Sequence, residues 1–166
     1  LTSGGYGYSK GFDLFFNDRV LLKNLEYQLS YTYNIAKRKF QEYTELTTPQ
    51  YATQHNASLV LKYSIPRIGT IVGLTNRFSS GRPYHNPDLP GLMNDHVKPY
   101  NSLDLGLTFL PSKKVIIHAS ATNILCRKNE FGRVNNKAIL ASNDHFFYIG
   151  VFNTLGKKAA YDVSNF

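Results

Sequence analysis

The clearest pattern in this sequence is a strict alternation of apolar and polar residues over residues 25–35. Every odd position, from Leu25 to Ile35, is apolar or aromatic, and every even position, from Glu26 to Asn34, is polar. Because successive side chains of a β-strand point to opposite faces, the segment predicts a strand with one apolar and one polar face. It is longer than the usual strand of about five or six residues and matches the roughly nine to eleven that a tilted strand needs to cross a bilayer. We therefore expect its apolar face to lie against a wide, dry environment.

The same alternation recurs along most of the chain. It is strong over residues 6–16, 57–65 and 102–109 and weaker over residues 70–78, 115–125 and 145–155. No segment has a convincing helical period, and no apolar run approaches the roughly 18 residues of a transmembrane helix. The sequence thus predicts an all-β chain of about seven long strands over residues 1–156, followed by a polar C-terminal tail at residues 157–166.

The connections between these strands alternate between short and long. The short ones cover residues 18–24, 66–69 and 111–114, and the long ones cover residues 37–55, 81–99 and 126–144. This rhythm predicts an antiparallel up-and-down meander with all long loops at one end, as in transmembrane barrels. Bacterial barrels of one chain have even strand numbers, and an open sheet edge is forbidden in lipid. Seven strands therefore predict the last part of a larger transmembrane β-barrel.

Composition and charge agree with this interpretation. The 12 Tyr and 11 Phe residues favour strands. The mean hydropathy of −0.30 does not exclude a membrane barrel, because polar lumen residues lower the average of alternating strands. The net charge of +8 raises nucleic acid as a partner, but the bases are scattered over loops and strand ends. We expect no nucleic-acid binding and a solvated basic rim.

The cysteine count and the N-terminus add two further expectations. Cys126 is the one cysteine in the sequence, so no internal disulfide or thiolate metal cluster forms. We interpret it as a small residue at a strand end rather than as a thiol activated by Arg127. Residues 1–5 have neither the basic start nor the apolar segment of a signal peptide, and no initiator Met is present. We therefore expect the chain to be the later part of a longer protein.

Several motifs resemble those of one known family. They are GFDLFF (residues 11–16), KNLEYQLSYTY (23–33), SSGRPYHNP (79–87), PYNSLDL (99–105), ATNIL (121–125) and FFYIGVF (146–152). In this order and spacing they resemble the late strands of TonB-dependent outer-membrane receptors. The resemblance implies a barrel of about 22 strands, plugged by an N-terminal domain, in the outer membrane of a Gram-negative bacterium. It also implies uptake of a siderophore, vitamin or glycan, powered by the TonB complex through an N-terminal region that this chain lacks.

Two alternatives stay open beside this resemblance. A small self-contained outer-membrane barrel needs an eighth strand, for which residues 157–166 are short and polar. A soluble lipocalin-like barrel would turn its apolar faces inward around a small ligand. The tail also departs from barrels that end on the aromatic residue of their last strand. We expect the assembly signal to lie inside the last strand rather than at Phe166.

Loop residues supply the candidate contacts to a ligand. Arginine offers a bidentate fork and tyrosine a flat amphipathic face, which suit anionic or ring-bearing ligands. The candidate ligand-facing residues are Arg38, Tyr43, Arg82, Tyr84, His85 and Arg133. The alternative is that rim aromatics anchor the barrel at the membrane interface, while basic loop residues face the phosphates of lipopolysaccharide.

Metal binding and catalysis have weaker support in the sequence. The best metal-site candidates are His85 and His96 with Asp88 and Asp95 in the same long loop, but solvated loop side chains explain them more simply. Three inward polar residues could be recruited for catalysis, namely Asp13, Asp104 and His118. Since two of them lie on strands far apart in order, we expect neither an enzyme nor a cofactor.

Overall fold

The computed structural model describes residues 4–40, 43–134, 137–141 and 145–156. Within them the chain is all-β, with one short 3-10 turn at Pro66–Ile68. The strands are β1 (Tyr6–Asp18), β2 (Leu25–Lys39), β3 (His55–Ile65), β4 (Thr70–Ser79), β5 (Pro83–Tyr84), β6 (Asp95–His96), β7 (Tyr100–Ser112), β8 (Val115–Thr122), β9 (Glu130–Val134), β10 (Lys137–Leu140) and β11 (Phe146–Asn153).

Seven of these strands form one large antiparallel sheet. Its order is β1-β2-β3-β4-β7-β8-β11, so each long strand pairs with the next long strand along the chain. The predicted all-β meander of seven long strands is confirmed. In the part of the chain that the structure describes, β1 and β11 are the two edges of this sheet. Membership of a transmembrane barrel stays a prediction.

The short strands lie inside two of the long loops. Strands β5 and β6 pair within the second long loop, and β9 and β10 pair within the third. The third short connection is shorter than the predicted residues 111–114. Strand β7 continues through Pro111 to Ser112, and β8 begins at Val115. A register shift between Phe109 and Ser112 accommodates the proline, which cannot donate a ladder hydrogen bond.

One face of the sheet, here called the apolar face, is apolar across neighbouring strands. The register aligns one row across six strands, composed of Tyr27, Leu61, Leu74, Leu105, Ala121 and Phe147. The next row on the same face is composed of Leu25, Tyr63, Val72, Leu107, Ala119 and Ile149. The alternation in each strand thus adds up to a continuous surface, because the pairing keeps all strands in phase.

The opposite face, here called the polar face, has hydrogen bonds and ion pairs between neighbouring strands. The Thr32 hydroxyl donates to Asp13 across β1 and β2. Lys62 Nζ lies 3.3 Å from a carboxylate oxygen of Glu26 across β2 and β3. Arg77 pairs with Asp104 across β4 and β7. Such cross-strand pairs link polar groups on a single face of the sheet.

The described residues supply little covering for the apolar face. Their buried hydrophobic side chains are Ile71, Tyr84 and Val97, whereas Leu107 is 46% exposed and Ile149 is 75% exposed. No helix among the described residues is long and apolar enough to cross a membrane. Since the apolar face of a sheet is normally packed against a second layer, this surface must be covered by something other than the described chain. The predictions about the tail at residues 157–166 lie outside the described residues.

Candidate functional site

The three long loops meet at one end of the sheet, where side chains are most tightly packed. Here we call this region the loop layer; it consists of the described residues of 81–99 and 123–141, which include β5, β6, β9 and β10. Its buried residues include Pro83, Tyr84, Val97, Asn123 and Asn129. The loop end is therefore a folded layer that can hold side chains in defined positions.

The motif SSGRPY at residues 79–84 attaches the loop layer to strand β4. The Ser80 hydroxyl oxygen accepts hydrogen bonds from the backbone N–H groups of residues 54 and 55, at 3.0 and 3.1 Å. At Gly81 the backbone passes so close to Val97 that an added Cβ would lie 1.9 Å from the Val97 carbonyl oxygen. Pro83 then enters the interior and is fully buried. Ser80, Gly81 and Pro83 of the motif thus each have a structural role.

A single asparagine organises the turn between β5 and β6. The Asn94 side-chain amide donates to the backbone carbonyls of residues 86, 89, 90 and 91 at 2.7 to 3.3 Å. Its side-chain oxygen accepts from the Asn86 N–H at 2.8 Å. The loop therefore pairs several of its own backbone groups with one side chain.

Tyr84 and Asp95 close this loop with a side-chain hydrogen bond. The Tyr84 hydroxyl donates to the Asp95 carboxylate, which also accepts from the Asn86 amide at 3.0 Å. The hydrogen bond from Tyr84 holds the pKa of Asp95 below its ordinary value, and the same bond raises the pKa of Tyr84. Tyr84 is only 4% exposed, so its ring and hydroxyl hold the loop layer together.

A cavity of about 330 Å³ lies between the polar face and the loop layer. Here we call it the polar pocket. Its lining residues are Ser30, Thr32, Asn56, Ala57, Ser58, Arg77, Phe78, Ser79, Arg82, Tyr100 and Phe131. The strands β2, β3 and β4 supply its floor of hydroxyl groups, while the loop layer supplies Arg82 and Phe131.

Three of the lining side chains stack on one another. The Arg82 guanidinium carbon lies 4.6 Å from the centre of the Phe131 ring. Phe131 in turn stacks on Tyr100, with ring centres 5.9 Å apart and planes inclined by 23°. Among the described residues Arg82 has no ion-pair partner, whereas Arg77 pairs with Asp104. The pocket thus has a guanidinium group that is held in place but not neutralised.

The six predicted ligand-facing residues fall into separate groups. Arg82, Tyr84 and Arg133 lie in the same loop layer, where the Arg133 guanidinium carbon is 5.7 Å from the Tyr84 ring centre. Arg38 and Tyr43 both pack against Phe40 in the first long loop, at 3.7 and 5.3 Å from its ring centre. The remaining candidate, His85, is exposed. Of the six, only Arg82 lines the polar pocket.

Sequence reasoning did not select Arg77 and Tyr100 for the pocket. The alternation of β4 places Arg77 in the same phase as Thr75 and Ser79, so a charged residue on the polar face was a signal available in the sequence. Tyr100 pairs with Ser79 in the register and is thereby brought to the same face. Its contact with Phe131 depends on the fold of the third long loop and has no local signal in the sequence.

The metal and catalytic candidates do not form a common site. Among the described residues, no group of three or more His, Cys, Asp or Glu side chains is placed to hold a metal ion. Asp13 accepts from Thr32, Asp104 accepts from Arg77, and His118 lies 2.9 Å from the Thr108 hydroxyl. Three strands of the sheet separate Asp13 on β1 from Asp104 on β7.

Replacing Asn129 with Ala is expected to detach the third long loop from β7. Asn129 is 6% exposed, and its amide exchanges two hydrogen bonds with the Asn101 backbone, at 3.0 and 3.1 Å. Leaving these backbone groups unpaired costs about 1–3 kcal/mol. Amide hydrogen exchange at Asn101 should therefore become faster, by the factor to which this free-energy cost corresponds.

Two further variants make this measurement specific. Asn129→Asp keeps the acceptor for the Asn101 N–H but removes the donor to its carbonyl, so it should preserve more protection than Asn129→Ala. Asn17→Ala, on the exposed surface of β1, should leave exchange at Asn101 unchanged. Unchanged exchange in Asn129→Ala would contradict the assigned role.

Comparison with known proteins does not assign this chain to a family. A scan against models of protein families gives no match, and a search of curated proteins finds no similar sequence. Its function is therefore inferred from the two faces of the sheet and from the polar pocket.

Proposed function

We propose that this chain is the C-terminal part of the barrel of a TonB-dependent receptor in the outer membrane. It would form barrel wall and extracellular loops on the uptake route of a siderophore, vitamin or glycan, without catalysis of its own. Its partners would be membrane lipid and lipopolysaccharide, the transported ligand, and the TonB complex through a region outside this chain. The observation behind the proposal is the continuous apolar face of the sheet.

An uncovered apolar face of this width is unstable in water. The burial of apolar surface is the main stabilising contribution to folding, and large exposed apolar patches mark membrane or protein contacts. Here the apolar rows extend across six neighbouring strands, and the described chain provides no second layer over them. Hydrocarbon chains of lipid would cover such a surface without requiring shape complementarity.

Polar groups of the apolar face form hydrogen-bonded pairs at the loop end. The Asn76 amide donates to the Asn101 side-chain oxygen at 2.8 Å, and the Tyr31 hydroxyl lies 2.8 Å from His55 Nδ1. Phe12 lies close to the Tyr31 ring, with 6.0 Å between their centres. Paired polar groups among aromatic rings are typical of the membrane–water interface. This arrangement supports an apolar band that ends below the loop layer.

The opposite face supports a role in solute passage. Its cross-strand partners are charged or hydroxyl-bearing, and the polar pocket opens on this face beneath the loop layer. In transmembrane barrels the lumen is polar while the outside is apolar. If the apolar residues instead faced inward, as in a lipocalin, the ion pairs and the polar pocket would lie on the outer surface of the barrel.

Vesicle flotation of the full 166-residue chain tests the proposal. The chain, refolded from urea in the presence of phospholipid vesicles, should float with them in a density gradient and resist extraction with alkaline carbonate. Copies that pair edge to edge close the sheet that a single copy leaves open, so insertion can bury the apolar face in hydrocarbon. Carbonate removes only proteins bound at the surface. A stable monomer that needs neither detergent nor lipid would contradict the proposal and favour the soluble alternative.

A further inference from the structure

The polar pocket contains a positively charged group positioned for binding. We propose that it recognises an oxyanion, a carboxylate or phosphate group of a small ligand, through the guanidinium of Arg82. The inference rests on the proposed function, since it names the chemical class of ligand that the polar face would bind. It requires no contribution from residues outside the described chain.

Stacking orients Arg82 before any ligand arrives. Its guanidinium lies 4.6 Å from the centre of the Phe131 ring, and Tyr100 supports that ring from 5.9 Å. A guanidinium stacked on an aromatic ring keeps its N–H groups at the edge of the plane, where they can donate in pairs to a carboxylate or phosphate. Because the side chain is already ordered, less conformational entropy is lost on binding.

The charges near the pocket leave Arg82 available. The Asp104 carboxylate accepts from Arg77, from the Ser102 hydroxyl at 2.8 Å and from the Asn123 N–H at 2.8 Å. Two further acids lie next to the lining residues: Asp13, which accepts from Thr32, and Glu130, which pairs with Arg133; neither lines the pocket. All three carboxylates thus have partners other than Arg82.

The pocket floor provides neutral hydrogen-bonding groups at a matching position. Ser30 pairs with Ser58 in the register, and Ser58 pairs with Arg77, so these side chains form one row on the polar face. Arg77 in this row is paired with Asp104, so its charge is compensated and Arg82 supplies the unpaired positive charge of the pocket. A cavity of about 330 Å³ holds a small ligand or one anionic group of a larger one.

Isothermal titration of the full chain in a neutral detergent tests the inference. Succinate supplies the carboxylate probe, pyrophosphate the phosphate probe, and glucose an uncharged control. We expect saturable binding of at least one anion that becomes about tenfold weaker in Arg82→Ala, equivalent to one charge-assisted contact. Arg82→Lys should also weaken binding, because an ammonium group lacks the planar fork. Phe131→Leu should give a smaller loss, since the charge remains but its orientation is released.

Control variants distinguish a direct loss of anion binding from a loss of folded structure. Arg67→Ala removes an exposed arginine in the Pro66–Ile68 turn at the other end of the sheet and should leave affinity unchanged. If Arg82→Ala misfolds, judged by circular dichroism, Arg82→Gln decides, because it keeps a planar side chain without the charge. Binding of succinate alone assigns a carboxylate ligand, and binding of pyrophosphate alone assigns a phosphate ligand.

Three outcomes would overturn the inference. They are no saturable anion binding by the unaltered chain, equal binding of glucose, and equal losses in Arg67→Ala and Arg82→Ala. Binding is measured in micelles and does not require insertion into a bilayer. A failed flotation experiment with intact anion binding would therefore reject the membrane proposal alone, and the reverse result would reject the oxyanion site alone.

Discussion

Leu74→Arg should reduce the fraction of chain that floats with lipid vesicles by at least tenfold, whereas Thr75→Arg should leave that fraction unchanged. Leu74 is central in the apolar face, paired with Leu61 on one side and Leu105 on the other. On the lipid side of a barrel, arginine near the bilayer midplane costs about 2–4 kcal/mol. A cost of that size shifts an insertion equilibrium by more than one power of ten.

Thr75 is a matched control because it is the next residue on the same strand and faces the other way. It pairs with Asp104 on β7, so an added guanidinium would meet a carboxylate on the polar face. Both variants add the same charge to β4. Equal flotation of the two variants would show that the apolar face does not contact hydrocarbon.

The long strands could be predicted from the sequence because each contains its own signal. Over residues 25–35 the alternation has no exception, and β2 includes that whole segment, although it extends to Lys39. The side-chain period of two also predicts which residues share a face. Pairing between successive strands then follows from the short turns, as at Pro66–Ile68.

The loop strands could not be predicted in the same way. Strand β5 has two residues, too few for any period, and pairs with β6 across the turn that Asn94 organises. That pairing depends on contacts between residues far apart in sequence, such as Tyr84 with Asp95. Local propensity and alternation contain no information about such contacts.

The polar pocket was predicted only in part, because it too depends on contacts that residue type and alternation do not encode. Residue type alone selected Arg82, because arginine beside loop aromatics suits anion recognition, and the structure places it in the polar pocket. The same reasoning selected Tyr84, which is buried and bonded to Asp95. Whether a loop tyrosine faces solvent or the interior depends on how the loop folds on itself, and here Pro83 and Val97 of the same loop are buried together with Tyr84.

Gly81→Ala should disrupt the loop layer more than any other single methyl group added to a glycine of β4 or the segment after it. The added Cβ would lie 1.9 Å from the Val97 carbonyl oxygen, far inside van der Waals contact. The Val97 backbone cannot simply turn away, because its N–H donates to the Arg82 carbonyl at 3.0 Å. Relief therefore requires separation of the two segments, at a cost of about 1–3 kcal/mol or more.

The measurable consequence is a faster amide exchange at Val97 together with loss of anion binding, since Arg82 follows Gly81 directly. Gly73→Ala is the matched control within β4: its Cβ would meet nothing closer than the Gly106 carbonyl oxygen at 3.9 Å. That variant should keep both the exchange protection of Val97 and the affinity for anions.

Equal effects of the two variants would mean that the close approach of residues 81 and 97 does not position the pocket. Loss of exchange protection with anion binding intact would instead separate the loop layer from recognition, and would place the oxyanion contact on strand residues such as Arg77.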